Sequence, residues 1–142
     1  MNLRIIIADD RKTFDYAIQI RHIVFEVEQH FKDEFDDIDS YAHHAAVFDD
    51  DKLIGCGRVY IDENKNCHIG RIAVIKEYRG KDIGSFIVCE LEKFAADNFE
   101  FNEYVLSAQT RAKDFYAKLG YIERGEIYFE EYCEHIEMFK SR

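Results

Sequence analysis

The chain has 142 residues, 47% of them hydrophobic, and a formal net charge of -10. A chain of this length suits one domain that buries roughly two-thirds of its unfolded surface, while the acidic balance argues against a nucleic-acid partner, whose phosphates demand a broad cationic face. No apolar run approaches the roughly 20 residues of a membrane-spanning helix, so no membrane partner is expected either.

"LRIIIADD" reads as a first strand, and from Lys12 to Gln29 the apolar residues Phe14, Ala17, Ile18, Val24 and Phe25 recur at helical spacing. "HHAAVFDDDKLIGCGRVYI" reads as two strands about an acidic turn at Asp49 to Asp51, and "NCHIGRIAVI" as a further strand. A stripe of Ile83, Phe86, Ile87, Glu90, Leu91 and Phe94 predicts the next helix, followed by the short strand "EYVLSA". "TRAKDFYAKLGY" is a helix stopped by Gly120, and "YIER", "GEIYFEE" and "EHIEMFK" close the chain as strands. The order β, α, β, β, β, α, β, α, β, β predicts an α/β (mixed α+β) fold over residues 1–142. Its centre is a mixed sheet of six to seven strands with helices on both faces.

The stretch from Arg71 to Ala95 carries the clearest chemical pattern. A strand ending near Val74 feeds a loop with Lys76, Arg79, Gly80 and Lys81, and a helix begins at Asp82 or Ile83 with Gly84 in its first turn. Unpaired amides at a helix start, with partial positive charge and glycines that admit close approach, form a cradle for a phosphate or pyrophosphate. Neither GK[ST] nor GxGxxG is present, so this is not a Walker or dinucleotide loop. A surface turn with solvated cations is the competing reading.

Helical spacing also places Phe14, Ile18, Arg21, Phe25 and Glu28 on one stripe, so that two charged groups face inward or line a cleft, as an ion pair or as acceptor-site residues. His44 titrates near neutrality and is a candidate base or a hydrogen-bonded strand residue. His43, His135 and Arg71 are each possible around the cleft and each equally explicable as strand-face polarity. The acidic run Asp33, Glu34, Asp36, Asp37, Asp39 either draws a cationic amine or is a solvated loop. The cysteines Cys56, Cys67, Cys89 and Cys133 show no CxxC spacing, and no secretory signal pattern opens the chain. Reduced thiols in the cytoplasm and no metal centre are expected, and no local signature supports a thiol hydrolase.

"IAVIKEYRGKDIGS" resembles the acetyl-CoA-binding segment of the GCN5-related N-acetyltransferases (GNAT), and "LSAQTRAKDFYAKLGY" is similar to that family's second segment. "RHIVFEVEQHF", "DEFDDIDSYAHH", "IGCGRV" and "YFEEYCEHIEM" extend the resemblance across nearly the whole chain, toward a bacterial branch. The resemblance implies that Ile72, Ala73 and Val74 pair with the pantetheine arm through their backbone. It further implies that amides from Arg79 through Gly80, Lys81, Asp82 and Ile83 to Gly84 hold the pyrophosphate. Asp82 stands where the family often has a glycine and is expected to serve as a helix N-cap. Gln109 falls near the cofactor arm. Tyr116 is implied as the acid that protonates the leaving thiolate, with Glu28 or a water chain as base.

The resulting expectation is transfer of acetyl from acetyl-CoA to a primary amine in a ternary complex, with Arg21, Glu28 and His44 about the acceptor. The alternative is a noncatalytic acyl-CoA-binding regulatory module. Exposed terminal strands are able to pair two copies into a homodimer.

Overall fold

In the computed structural model, which describes all 142 residues, strand β1 (Leu3–Ala8) ends just before Asp10, whose carboxylate accepts the Thr13 amide at 2.8 Å. That bond satisfies one of the orphan donors at the start of helix α1 (Arg11–Arg21). The helix expected to run to Gln29 changes form at His22 and continues as a π-helix over His22–Glu28, with the Gln29 amide donating to the Val24 carbonyl at 3.1 Å. Hydrogen bonds of this longer span take about one more residue per turn, so the inward stripe breaks. Arg21 and Phe25 are buried, whereas Glu28 comes out exposed.

Strands β2 (His43–Asp49), β3 (Lys52–Ile61) and β4 (Cys67–Val74) form an antiparallel meander with β1. Alternation of side chains along them assigns the two faces. On β2, His44 lies 4.5 Å from Phe14 and Phe48 meets Tyr16 edge-on at 5.1 Å, facing α1. His43 turns the other way, 5.1 Å from Phe94 of helix α2 (Ile83–Asn98). On that second face Gly55 and Gly57 let α2 settle onto β3, and α2 buries Ile83, Ile87, Val88, Leu91 and Ala95 along one side. A Cβ at Gly57 lies 2.8 Å from Leu91 Cδ1 and 3.0 Å from Ile87 Cγ2, both in fully buried side chains.

Strand β5 (Glu103–Gln109) follows, then helix α3 (Lys113–Lys118), β6 (Ile122–Glu130) and β7 (Cys133–Ser141). The sheet has seven strands in the order β1-β2-β3-β4-β5-β7-β6 with helices on both faces, as expected from the sequence. The segments "YIER" and "GEIYFEE" are one strand rather than two, joined across Gly125 at φ +81° and a register shift between Arg124 and Tyr128. A bulge with glycine in the left-handed region lets the strand continue past an unpaired residue. β6 is an outer edge and exposes Ile122, Ile127 and Phe129. No helix is long and apolar enough to cross a membrane.

The central pairing is short. β4 and β5 run parallel and pair only at Cys67↔Tyr104 and His68↔Val105. Beyond His68, β4 stays with β3 through Gly70↔Arg58, Ala73↔Cys56 and Val74↔Gly55, while β5 stays with β7 along its whole length. Arg71 marks the departure, with φ at +52° inside a strand and a register shift opposite it. A non-glycine residue in that region is uncommon and bends the strand. Gly57→Ala is expected to lower unfolding stability in urea by about 1–3 kcal/mol through overpacking under α2. At Gly70, where an added Cβ meets nothing within 4 Å, alanine is expected to cost less; equal effects at both positions contradict this account of the α2 contact.

Candidate active site between the parted strands

The parting leaves the inner edges of β4 and β5 without strand partners, and the cavity that runs along it has a volume of about 660 Å³. An unpaired strand edge offers a row of backbone donors and acceptors to an extended guest. At the far end of β4 the chain passes through a 3-10 turn at Lys76–Tyr78 and enters α2. None of the backbone N–H groups from Gly80 to Ser85 donates to another protein atom, and the first helical bond there is Phe86 N to Asp82 O at 3.1 Å. Six consecutive free amides at a helix start lie where the sequence placed its candidate anion cradle.

The side chains around the cradle are arranged differently from the expectation. Asp82 does precede the helix, but its carboxylate caps no amide. It sits in the left-handed region at φ +63°, the conformation that explains why glycine suits the position; aspartate is among the residues that tolerate it. Arg79 is already engaged: Nε donates to the Val74 carbonyl at 2.9 Å and Nη2 lies 2.9 Å from the Glu28 carboxylate. Lys81 has no carboxylate partner and lies 5.6 Å from the Tyr78 ring centre, so it is the mobile cation of the loop.

β5 ends in a 3-10 turn at Thr110–Ala112 that leads into α3 and sets Tyr116 on the cavity wall beside Ile72 and Gln109. Burial pushes the Tyr116 hydroxyl up to about 12, so it is protonated at neutral pH, and it has no hydrogen-bond partner in the protein. Gly84 allows α3 to close on the cradle, because a Cβ there would lie 3.2 Å from Phe115 Cζ. Gln109 donates to Gln29 Oε1 at 2.9 Å and accepts from Arg111 Nε at 2.8 Å, tying the end of β5 to the end of the π-helix.

For Arg21, His44 and Glu28 the contacts match the structural alternative that the sequence left open beside an acceptor role. Arg21 is 1% exposed and donates to Glu34 Oε2 at 2.9 Å and to both oxygens of Asp39 at 2.8 and 3.0 Å. It holds the acidic segment to α1 and does not line the cavity. His44 is equally buried, against Phe14 and the Asp39 carbonyl, on the core side of the same segment. Glu28, carried off the inward stripe by the π-helix, pairs with Arg79 beside a smaller hollow near Gln19 and Lys52.

The acidic run divides, with Asp33 and Asp37 exposed and the other three carboxylates paired with arginines. Glu34 and Asp39 turn inward, with Asp39 in a 3-10 turn over Asp37–Ser40, Asp36 stays exposed at their edge, and the three meet Arg21, Arg58 and Arg71. Arg58 reaches Asp36 at 2.8 Å and Asp39 at 3.0 Å, and Arg71 reaches Glu34 at 2.8 Å from the strand position where β4 bends. Three arginines against three carboxylates leave the cluster neutral, as burial of charge requires. Burial alone would raise the Asp39 carboxyl, but hydrogen bonds and charge from Arg21 and Arg58 outweigh it and hold it at about 2. Cys56 and Cys67 are buried free thiols that burial pushes up to about 12, which leaves them protonated and poor nucleophiles.

Comparison with known proteins bears on this geometry. The profile of the acetyltransferase (GNAT) domain matches residues 18–142. The chain is 32% identical over 142 residues to the uncharacterized N-acetyltransferase YjcF of Bacillus subtilis, covering 98% of this chain and 100% of that protein. The crystal structure of an acyl-CoA N-acyltransferase from Pseudomonas aeruginosa superposes with a TM-score of 0.88 at 25% identity, over 99% of this chain and 100% of that one. A more distant Bacillus subtilis acetyltransferase, solved in complex with CoA, shares the fold at a TM-score of 0.70 and 14% identity, over 99% of each chain.

Asp39→Asn is expected to destabilise the protein by about 3–5 kcal/mol, because it strips two buried arginines of their shared carboxylate. In the native chain the stabilisation from Asp39, whose folded value is depressed from 3.8 to about 2, is fully present above pH 3.8 and lost as pH falls through about 2. Glu34, which burial shifts upward, titrates above that window. Chemical denaturation between pH 5 and pH 2 checks both expectations, and an Asn variant with the same acid limb as the native chain contradicts them.

Proposed function

The chain belongs to the GCN5-related N-acetyltransferase (GNAT) family and is an acyltransferase, and from that premise we propose that it moves an acetyl group from acetyl-CoA to a primary amine by direct attack in a ternary complex. The observation that carries the reading is the joint lining of one cavity by Tyr116 and by Ile72 on the unpaired edge of β4, which leads to the free amides of Gly80 to Ser85. The pyrophosphate suits the cradle and Lys81, and the pantetheine arm suits the edge of Ile72, Ala73 and Val74 as an added strand. One acceptor on that edge, the Val74 carbonyl, is already taken by Arg79. The CoA-bound structure of similar fold supports acetyl-CoA as donor.

The chemistry then follows from position. The amine nitrogen attacks the thioester carbonyl carbon, the C–S bond breaks, and the departing sulfur takes the proton of the Tyr116 hydroxyl, which burial keeps available. The ion pair of Glu28 with Arg79 and its place outside the cavity count against Glu28 as the base. Its carboxylate instead steadies the arginine that closes the end of β4. The free outer edge of β6 suits the pairing of two copies.

Release of free thiol from acetyl-CoA across a panel of amines tests the reading. Tyr116→Phe is expected to lower turnover about 100-fold while coenzyme A binding measured by calorimetry is unchanged. Full turnover in that variant contradicts the proton-donor role. Coenzyme A binding with no thiol release from the native chain favours the noncatalytic module.

A further inference from the structure

Side chains of β5 and β7 alternate between the two faces of the sheet. Tyr104 of β5 reaches the Glu92 carbonyl of α2, so Leu106 and Ala108, with Ile136 and Met138 opposite them on β7, share the α2 side. Ser107, Gln109 and His135 therefore face the other side, where the segment after the π-helix lies. His135 is 4% exposed, yet it lines the same cavity as Tyr116.

Its surroundings define its chemistry. Nδ1 lies 3.0 Å from the Cys133 carbonyl oxygen, which can only accept, so Nδ1 carries the proton and Nε2 presents its lone pair. Nε2 lies 3.4 Å from Glu130 Oε2. The groups facing the ring are Glu130 and the Tyr128 ring from β6 and Phe31 from the segment after the π-helix, and Gln109 is the cross-strand partner on β5. Glu130 accepts from Ser107 at 3.0 Å, and Ser107 also meets the Tyr128 hydroxyl. Glu131 and Arg111 are the further charged groups of this end of the cavity. When Nε2 gains a proton, both ring nitrogens become donors, each already beside an acceptor.

We propose that His135 Nε2 is the base that takes the proton from the acceptor ammonium, with Glu130 steadying the resulting imidazolium. The assignment rests on the acetyl-transfer reading above. One ammonium proton passes to Nε2, and the freed lone pair forms the C–N bond to the thioester carbon. The C–S bond breaks with its electron pair on sulfur, which takes the Tyr116 proton. The second amine proton returns to Tyr116 through water and His135 gives its own to solvent, so one proton is released per acetyl transferred.

Two variants separate this role from a structural one. His135→Asn keeps a donor toward the Cys133 carbonyl, His135→Gln keeps the size of the side chain, and both lack the Nε2 lone pair. With an alkylamine at pH 7, each is expected to lose about 100-fold in turnover, with coenzyme A affinity unchanged and the deficit shrinking as pH rises toward the amine's own pKa. With an acyl hydrazide, already neutral at pH 7, turnover is expected to stay within a few-fold of the native chain, and Glu130→Gln is expected to show the alkylamine defect in weaker form. Full alkylamine turnover in the His135 variants, or the same loss with both acceptors at every pH, overturns the assignment while leaving acetyl transfer standing. No thiol release from the native chain with any amine overturns the acetyl-transfer reading and this assignment with it.

Discussion

The parting of β4 from β5 is the constraint on which the site depends. Two parallel strands pair for two residues and then follow different partners, β4 bound to β3 and β5 bound to β7. Unpaired backbone inside a sheet is costly unless something supplies its hydrogen bonds. The bend at Arg71 keeps the gap open by turning β4 at the point of departure. Each strand then delivers one half of the candidate site: β4 runs to the free amides at the start of α2, and β5 runs through a tight turn to α3 and Tyr116. Because the two halves hang from strands that have already separated, a guest along the gap replaces missing pairs and disturbs no existing ones.

The buried charges make the other wall. Arg71 bends β4 and, through the same residue, grips the Glu34 carboxylate and carbonyl, so the opening of the sheet and the placement of the acidic segment are mechanically one feature. Arg21 from α1 and Arg58 from β3 close the cluster from beneath through Asp39. A neutral hydrogen-bonded cluster adds little net stability compared with an apolar core, but it fixes a unique position because any slip strands a charge. The segment that borders the cavity is thereby held by charge pairing rather than by its own secondary structure, which amounts to one 3-10 turn.

The fold was legible in the sequence because periodicity reports burial, and burial here is regular. The alternation of β2 and β3, the stripe of α2 and the stop at Gly120 all correspond to observed elements. The run of free amides was legible because it lies in main chain, which glycine spacing and a helix start reveal. Side-chain roles were less so. A period of 100° per residue cannot anticipate the π-helix at His22–Glu28, and that local change separates Arg21 from Glu28. An acidic run looks the same whether solvated or paired, since its arginines come from α1, β3 and β4, far away in the chain. His135 was passed over because its orientation depends on the β6–β7 hairpin register, which brings Tyr128 opposite it and sets Glu130 beside it. The available signal was a histidine in strict alternation with Ile136 and Met138, on the face those residues leave free.

Amide hydrogen exchange with and without coenzyme A tests the central claim most directly, because it reads the main chain itself. The account predicts slowed exchange on binding at Gly80 to Ser85 and along the inner edges of β4 and β5 beyond His68 and Val105, with β1 and β2 unchanged. Saturating coenzyme A that leaves those amides exchanging at their free rates, or that protects a different part of the chain, contradicts it.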